Sequence, residues 1–122
     1  MHHDHHSHSK CLEACLECHT HCLDTYYNYC LKMGGKHVEQ EHLKLMADCI
    51  QICQTCTDFM TRNSKHHSSI CAVCAIICNA CAESCDRIGG DEMKRCAEMC
   101  RRCAAQCGEM GKVEKSGIAT YS

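Results

Sequence analysis

The chain has no proline and no tryptophan, a single phenylalanine and only four tyrosines. Lack of proline argues against the loop-rich, disulfide-stapled framework that small secreted cysteine-rich proteins adopt. Scarcity of aromatic side chains removes the usual large fillers of a core. Neither sign of charge dominates: 13 Lys and Arg face 15 Asp and Glu, for a formal net charge of -2. That balance gives no basic footprint for a phosphate backbone, and no nucleic-acid partner is expected. The opening MHHDHHSHSK carries neither the apolar stretch of a signal peptide nor a twin-Arg motif. No apolar run reads as long enough to span a membrane. The expectation is therefore a cytoplasmic protein with reduced thiols and no membrane partner.

What is present is cysteine, 17 residues in a chain of 122. A chain of this length closes one core without help. Residues 1–9 hold His2, His3, His5, His6 and His8 and read as a polar, aperiodic and disordered tail. Helix 1 is expected from about Lys10 to Met33, stopped by Gly34 and Gly35 in left-handed C-terminal caps. Helix 2 is expected over about His37 to Arg62, ending in Asn63-Ser64-Lys65, and helix 3 over about His67 to Ile88, stopped by Gly89-Gly90. Asp91 is the expected N-cap of helix 4, which runs to about Met110. Residues 111–122 read as a loose tail. Four helices on short links predict an all-α, antiparallel up-down four-helix bundle over residues 10–110.

The cysteines are phased. Helix 1 has Cys11, Cys15, Cys18 and Cys22; helix 2 has Cys49, Cys53 and Cys56. Helix 3 has Cys71, Cys74, Cys78, Cys81 and Cys85; helix 4 has Cys96, Cys100, Cys103 and Cys107. Alternating steps of three and four hold side chains within a stripe roughly 60° wide on each helix. These are the positions that face a bundle axis. Thiols alone are small fillers that leave voids, so a purely structural role fits poorly, and a guest is needed to complete the packing.

Thiolate is a soft ligand that selects copper(I), zinc or iron–sulfur clusters. Structural zinc takes four ligands around one ion in discrete sites, whereas here the thiols form a continuous ladder. Copper(I) accepts two or three sulfurs, and bridging thiolates let ions follow one another along the axis. One thiolate per monovalent ion also leaves a dry core nearly neutral, while divalent ions at that density would bury much positive charge. Multiple copper(I) ions per chain are the expected cargo, with a zinc or general soft-metal thiolate buffer as the alternative. Iron–sulfur clusters need room for sulfide and loop ligands, and rank third. The Cys15-x-x-Cys18 pair lies inside a helix and recurs elsewhere, so no nucleophile is singled out and a catalyst is not expected.

The segments KCLEACLECHTHC, DCIQICQTC, HSSICAVCAIICNACAESC and RCAEMCRRCAAQC resemble the cytosolic branch of the bacterial copper storage proteins, from Lys10 to Gly108. The resemblance implies a four-helix bundle, often a tetramer, that stores or detoxifies copper(I) on Cys thiolates inside each subunit. Relatives often continue the helix 1 ladder with two more cysteines, where this chain has Thr25 and Tyr29. Relatives also tend to carry His near the helix 2 start and in the helix 3–4 loop. His37 and His42 match the first, but the loop here has none.

Cys30 falls about 80° off the seam of helix 1 by straight helical geometry, making it the weakest thiol ligand of the set. His42 and Met46 extend the helix 2 seam and complete the expected ligands, although His42 reads equally as a capping or solvent-facing residue. Met46, Met60, Met93 and Met110 sit at the two ends of the ladder and read as core plugs first and thioether ligands second. His67 reads as a cap or solvent-facing residue, and His19 and His21 as surface residues. Helix 3 has no charged residue from Ile70 to Ala82, which predicts a homo-oligomer with that helix at an interface.

Overall fold

The computed structural model describes the backbone of residues 2–119 and the side chains of residues 9–111. Its architecture is the expected one: four long helices and, among the described residues, no strand. Helix α1 spans His2–Thr25, and its rod continues through a π-helical turn at Tyr26–Cys30 and a last helical turn at Leu31–Met33. A 3-10 turn at Gly35–Val38 leads into α2 at Gln40–Thr61. Helix α3 is His67–Ile88 and α4 is Asp91–Ala119. Each helix packs on its two sequence neighbours, with α4 closing back on α1. Cys11 meets Cys107 and Cys22 meets Cys96, so α1 and α4 run antiparallel. Cys56 meets Cys71 and Cys49 meets Cys78, so α2 and α3 do too.

The links behave as their residues require. Gly34, Gly35, Gly89 and Gly90 all take positive φ, where a Cβ would collide with the backbone. Gly34 and Gly89 stop α1 and α3 by amide bonds back to the Cys30 and Cys85 carbonyls, at 3.1 and 3.0 Å. Asn63 stops α2 with φ of 56°, a left-handed conformation that Asn tolerates better than most residues.

Several boundaries differ from the periodicity reading. Helix α1 begins at His2, before the expected Lys10, and α4 runs past Met110 to Ala119. The side chains of His2, His3, His5, His6 and His8 lie outside the described residues, as do those of residues 112–122. His37 belongs to the 3-10 turn and not to α2. Asp91 is the first residue of α4, since the Lys94 amide bonds the Gly90 carbonyl at 2.9 Å. Helix α3 also corrects the membrane reading: His67–Ile88 is long and apolar enough to cross a membrane by length and composition. In the bundle, its five cysteines face the core.

Helices α3 and α4 approach closely near the α4 end. A Cβ placed on Gly111 would lie 2.9 Å from the Ala72 Cα. Ala75 and Gly108 continue this small-residue contact one turn away. Arg102 ties α4 to α1 through Glu13 and Glu17, and Arg101 ties it to Asp86 of α3 at 2.5 Å. These ion pairs are exposed and contribute little stability.

Candidate metal centre

All 17 cysteines have zero exposure and none forms a disulfide. The core they fill otherwise consists mainly of Ala14, Ala82, Ala97, Ala104, Ile88 and methionines. Nothing larger than Met or Ile sits inside, so the helices enclose an axis lined with sulfur. Neighbouring sulfurs are spaced 3.2 Å (Cys56 and Cys71), 3.4 Å (Cys15 and Cys107) and 3.6 to 4.0 Å for the other close pairs. Burial disfavours charge, so a metal-free core keeps its thiols largely protonated. Cys107, ringed by Cys103, Cys11, Cys15 and Cys56, holds its proton well above the ordinary thiol range.

Thirteen of the thiols form four quartets, each with its sulfurs within 4.8 Å of one another. They are Cys11, Cys56, Cys71 and Cys107; Cys15, Cys56, Cys74 and Cys107; Cys18, Cys53, Cys78 and Cys103; and Cys18, Cys22, Cys49 and Cys100. Cys56 and Cys107 each serve two quartets, and so does Cys18. Sharing matters chemically, because a thiolate common to two occupied quartets must bridge two ions. Sharing joins the quartets in two pairs, and the pairs meet where Cys103 lies 3.7 Å from Cys15 and Cys53 lies 4.0 Å from Cys74, so the sulfurs form one path that soft monovalent ions can fill. Cys81 lies against Cys100 and Cys22, and Cys85 against Cys81 and Cys96, carrying the sulfur path towards the α1 C-terminal end.

At that end the donors change. Cys30 Sγ is 3.8 Å from His42 Nε2 and 3.9 Å from both Met46 Sδ and Met93 Sδ. All four side chains are fully buried. This overturns the expectation that Cys30 points off the seam. The π turn, marked by the Leu31 amide bonding the Tyr26 carbonyl, takes up one extra residue. Removing one residue's rotation of about 100° moves Cys30 from about 80° off the stripe to within about 20° of it. The straight-helix geometry would instead have put Tyr29 at the axis. Tyr29 packs edge-on against His37, with ring centroids 5.4 Å apart.

Burial pushes the Cys30 thiol up to about 11, with Cys96 and Cys81 adding to the effect. Burial also lowers His42 from its ordinary value, and Arg87 and His37 act in the same direction against Cys96 and Glu39. A neutral imidazole is what a soft cation needs. The structure thus brings His42 and Met46 together with Cys30, and adds Met93. The signal for Met93 was present in the spacing: it precedes Cys96 by three residues, as Met46 precedes Cys49. Met60 and Met110 close the opposite end and are buried.

The remaining histidines divide. His37 is buried at the same end of the bundle, with its Nε2 lacking a hydrogen-bond partner. His19 and His21 are half-buried, not surface residues as expected. His19 Nδ1 donates to the Ile50 carbonyl at 2.8 Å, so it stitches α1 to α2. His67 is half-buried at the start of α3.

A continuous buried thiol path is the feature by which relatives can be judged, and the family model for copper storage proteins matches residues 4–112. The chain belongs to the copper storage protein family. Among solved copper storage structures, copper(I)-bound BsCsp3 is 32% identical, with a TM-score of 0.80 over 86% of this chain and 98% of that one. The metal-free copper storage protein 3 of Bacillus subtilis is 34% identical, with a TM-score of 0.75 over 83% and 95%. A protein from Nitrosospira multiformis is 44% identical, with a TM-score of 0.86 over 89% and 98%. The uncharacterized cysteine-rich protein YhjQ of Bacillus subtilis is 34% identical over 70% of this chain and 79% of its own length.

Proposed function

We propose that this copper storage protein holds many copper(I) ions on the thiolates of its 17 cysteines, sequestering them against toxicity. The observation that carries this reading is the sharing of Cys18, Cys56 and Cys107 between quartets. Discrete four-ligand zinc sites would keep their thiols to themselves. One thiolate per copper(I) keeps the buried axis close to neutral, and each ion loaded displaces about one proton. The same chemistry gives a binder and not a catalyst, working where thiols stay reduced, in the cytoplasm.

Exchange with the outside belongs to the mixed mouth of Cys30, His42, Met46 and Met93. Neutral imidazole and thioether donors hold copper(I) less tightly than thiolates do, which suits a site that passes ions inward. Met60 and Met110 act as plugs at the other end. Oligomerisation belongs to α3, whose Ile76 is 70% exposed and Val73 44% exposed beside the Cys stripe. A second copy of the chain covering that face removes it from water.

The deciding experiment is anaerobic titration of the reduced, metal-free protein with copper(I) against a competing chelator, with zinc in parallel. Tight uptake of more than ten copper(I) ions is the order expected from about one ion per cysteine. Saturation at a few zinc ions, with weak copper uptake, would establish the buffer reading instead. Light scattering at micromolar concentration tests the α3 contact, and a strict monomer counts against it.

A further inference from the structure

His42 is fully buried, and both of its ring nitrogens are engaged. Nε2 faces Cys30 Sγ at 3.8 Å, and Nδ1 lies 2.8 Å from Ser84 Oγ, a residue of α3 that is 4% exposed. Arg87 Nη2 donates to the same Ser84 oxygen at 3.4 Å, and Arg87 Nη1 pairs with Glu39 Oε1 at 2.8 Å. A guanidinium can only donate, so it fills one of the two acceptor positions of the hydroxyl and leaves the second open to an N–H of His42. On the other side of the ring, the Cys30 thiol can donate to His42 Nε2, Met46 Sδ or Met93 Sδ. Imidazole nitrogen is the strongest acceptor of the three, since thioether sulfur accepts weakly. The arrangement that gives the Cys30 thiol its strongest acceptor leaves the Nε2 lone pair facing Cys30 and puts the proton on Nδ1, where the open acceptor position of Ser84 can take it.

We infer that Ser84, backed by Arg87, is the positioning residue of the exchange site, holding His42 as the Nδ1–H tautomer with Nε2 presented to copper(I). The inference rests on the reading of the Cys30, His42, Met46 and Met93 mouth as an exchange site. Ser84 touches no ion; it fixes ring angle and tautomer, as the outer partner of a metal-binding histidine does. Glu39, next to the first residue of α2, anchors Arg87 across the mouth and so ties the entry loop to the same chain of contacts. Ser84 follows Cys81 by three residues, on the edge of the α3 stripe.

The test compares wild type with Ser84→Ala and Ser84→Thr. Nitrogen-15 chemical shifts of labelled metal-free protein read the His42 tautomer, and copper(I) transfer to and from a chromogenic chelator reads the exchange site. The expected result is Nδ1–H in the wild type and a tautomer mixture in Ser84→Ala. Transfer through the mouth weakens roughly 10- to 100-fold in Ser84→Ala, the usual cost of losing such a partner, with total capacity unchanged. Ser84→Thr, which keeps the hydroxyl, restores both. An Nε2–H tautomer in the wild type overturns the inference. So does a Ser84→Ala protein with normal tautomer and transfer, or a folded Ser84→Thr protein as impaired as Ser84→Ala. A separate outcome addresses the underlying reading: if copper(I) loading leaves the wild-type His42 nitrogens unmoved, the mouth is not an exchange site, whatever the metal-free tautomer.

Discussion

The two ends of the sulfur axis are closed by different chemistry. Towards the α4 C-terminal end the quartets of Cys11, Cys15, Cys56, Cys71, Cys74 and Cys107 offer thiols only, behind Met60 and Met110. Towards the α1 C-terminal end a single thiol, Cys30, meets one imidazole and two thioethers. Thiols that must each lose a proton give deep, capacious binding; neutral donors give a shallow site that needs little deprotonation to take up an ion. The helices differ in the same way. The α4 end is packed against Ala72 with no room for a methyl group, while the mouth is framed by the glycine pairs and a π turn.

The largest expected effect follows from removing thiols. Replacing Cys18, Cys53 and Cys103 together by Ser should lower copper(I) capacity by roughly three ions, one per thiolate lost. His42→Ala should leave capacity within about one ion of wild type and slow transfer to a chelator by about tenfold or more. His67→Ala should change neither. Titration and stopped-flow transfer on the same samples read both quantities, and a capacity loss in His42→Ala equal to that of the triple variant would erase the difference between the ends.

Proton competition sharpens it further. The Cys30 thiol, raised to about 11 from 9.0, should lose copper(I) affinity by up to tenfold for each pH unit below that value. The metal-free fold shows the converse. A thiol raised on folding contributes stability that is present below about pH 9 and is lost as the pH climbs towards 11. His42, lowered on folding from 6.5, contributes stability present above its ordinary value and lost as the pH falls below it. Thermal unfolding of reduced metal-free protein should therefore be most favourable to the fold between these limits. His42→Ala should flatten the acid side.

The π turn can be tested by length. Deleting Asn28 removes the extra residue, so a plain α-helix would still bring the thiol of Cys30 to the axis. Inserting one Ala after Asn28 should instead rotate it about 80° to 100° away and expose it. Timed alkylation of metal-free protein should find one fast-reacting thiol in the insertion variant and none in the deletion variant.

The smallest change concerns the packed end. Gly111→Ala forces the Ala72 backbone to move and should cost about 1 to 3 kcal/mol in urea unfolding of the metal-free protein. Copper transfer at the far mouth should be unaffected.

Reading this chain from its sequence went far because its signal is periodic. Steps of three and four on four segments define both the helices and the faces they turn inward, and sixteen thiols follow from that arithmetic alone. The soft, monovalent cargo follows from the donor type and its density. Glycine pairs mark two of the links because positive φ is nearly theirs alone. Cys30 was misplaced because a constant 100° per residue cannot anticipate a π turn; Tyr29, which a straight helix would have put at the axis, packs beside His37 instead. His19 was read as a surface residue because its bond to the Ile50 carbonyl exists only once α1 and α2 are docked. Which thiols are shared between quartets, and the contact of His42 with Ser84, are likewise meetings of helices brought together only by the fold. Periodicity assigns a side chain to a face; only the packed bundle, by setting the distance and rotation between faces, decides which donors meet.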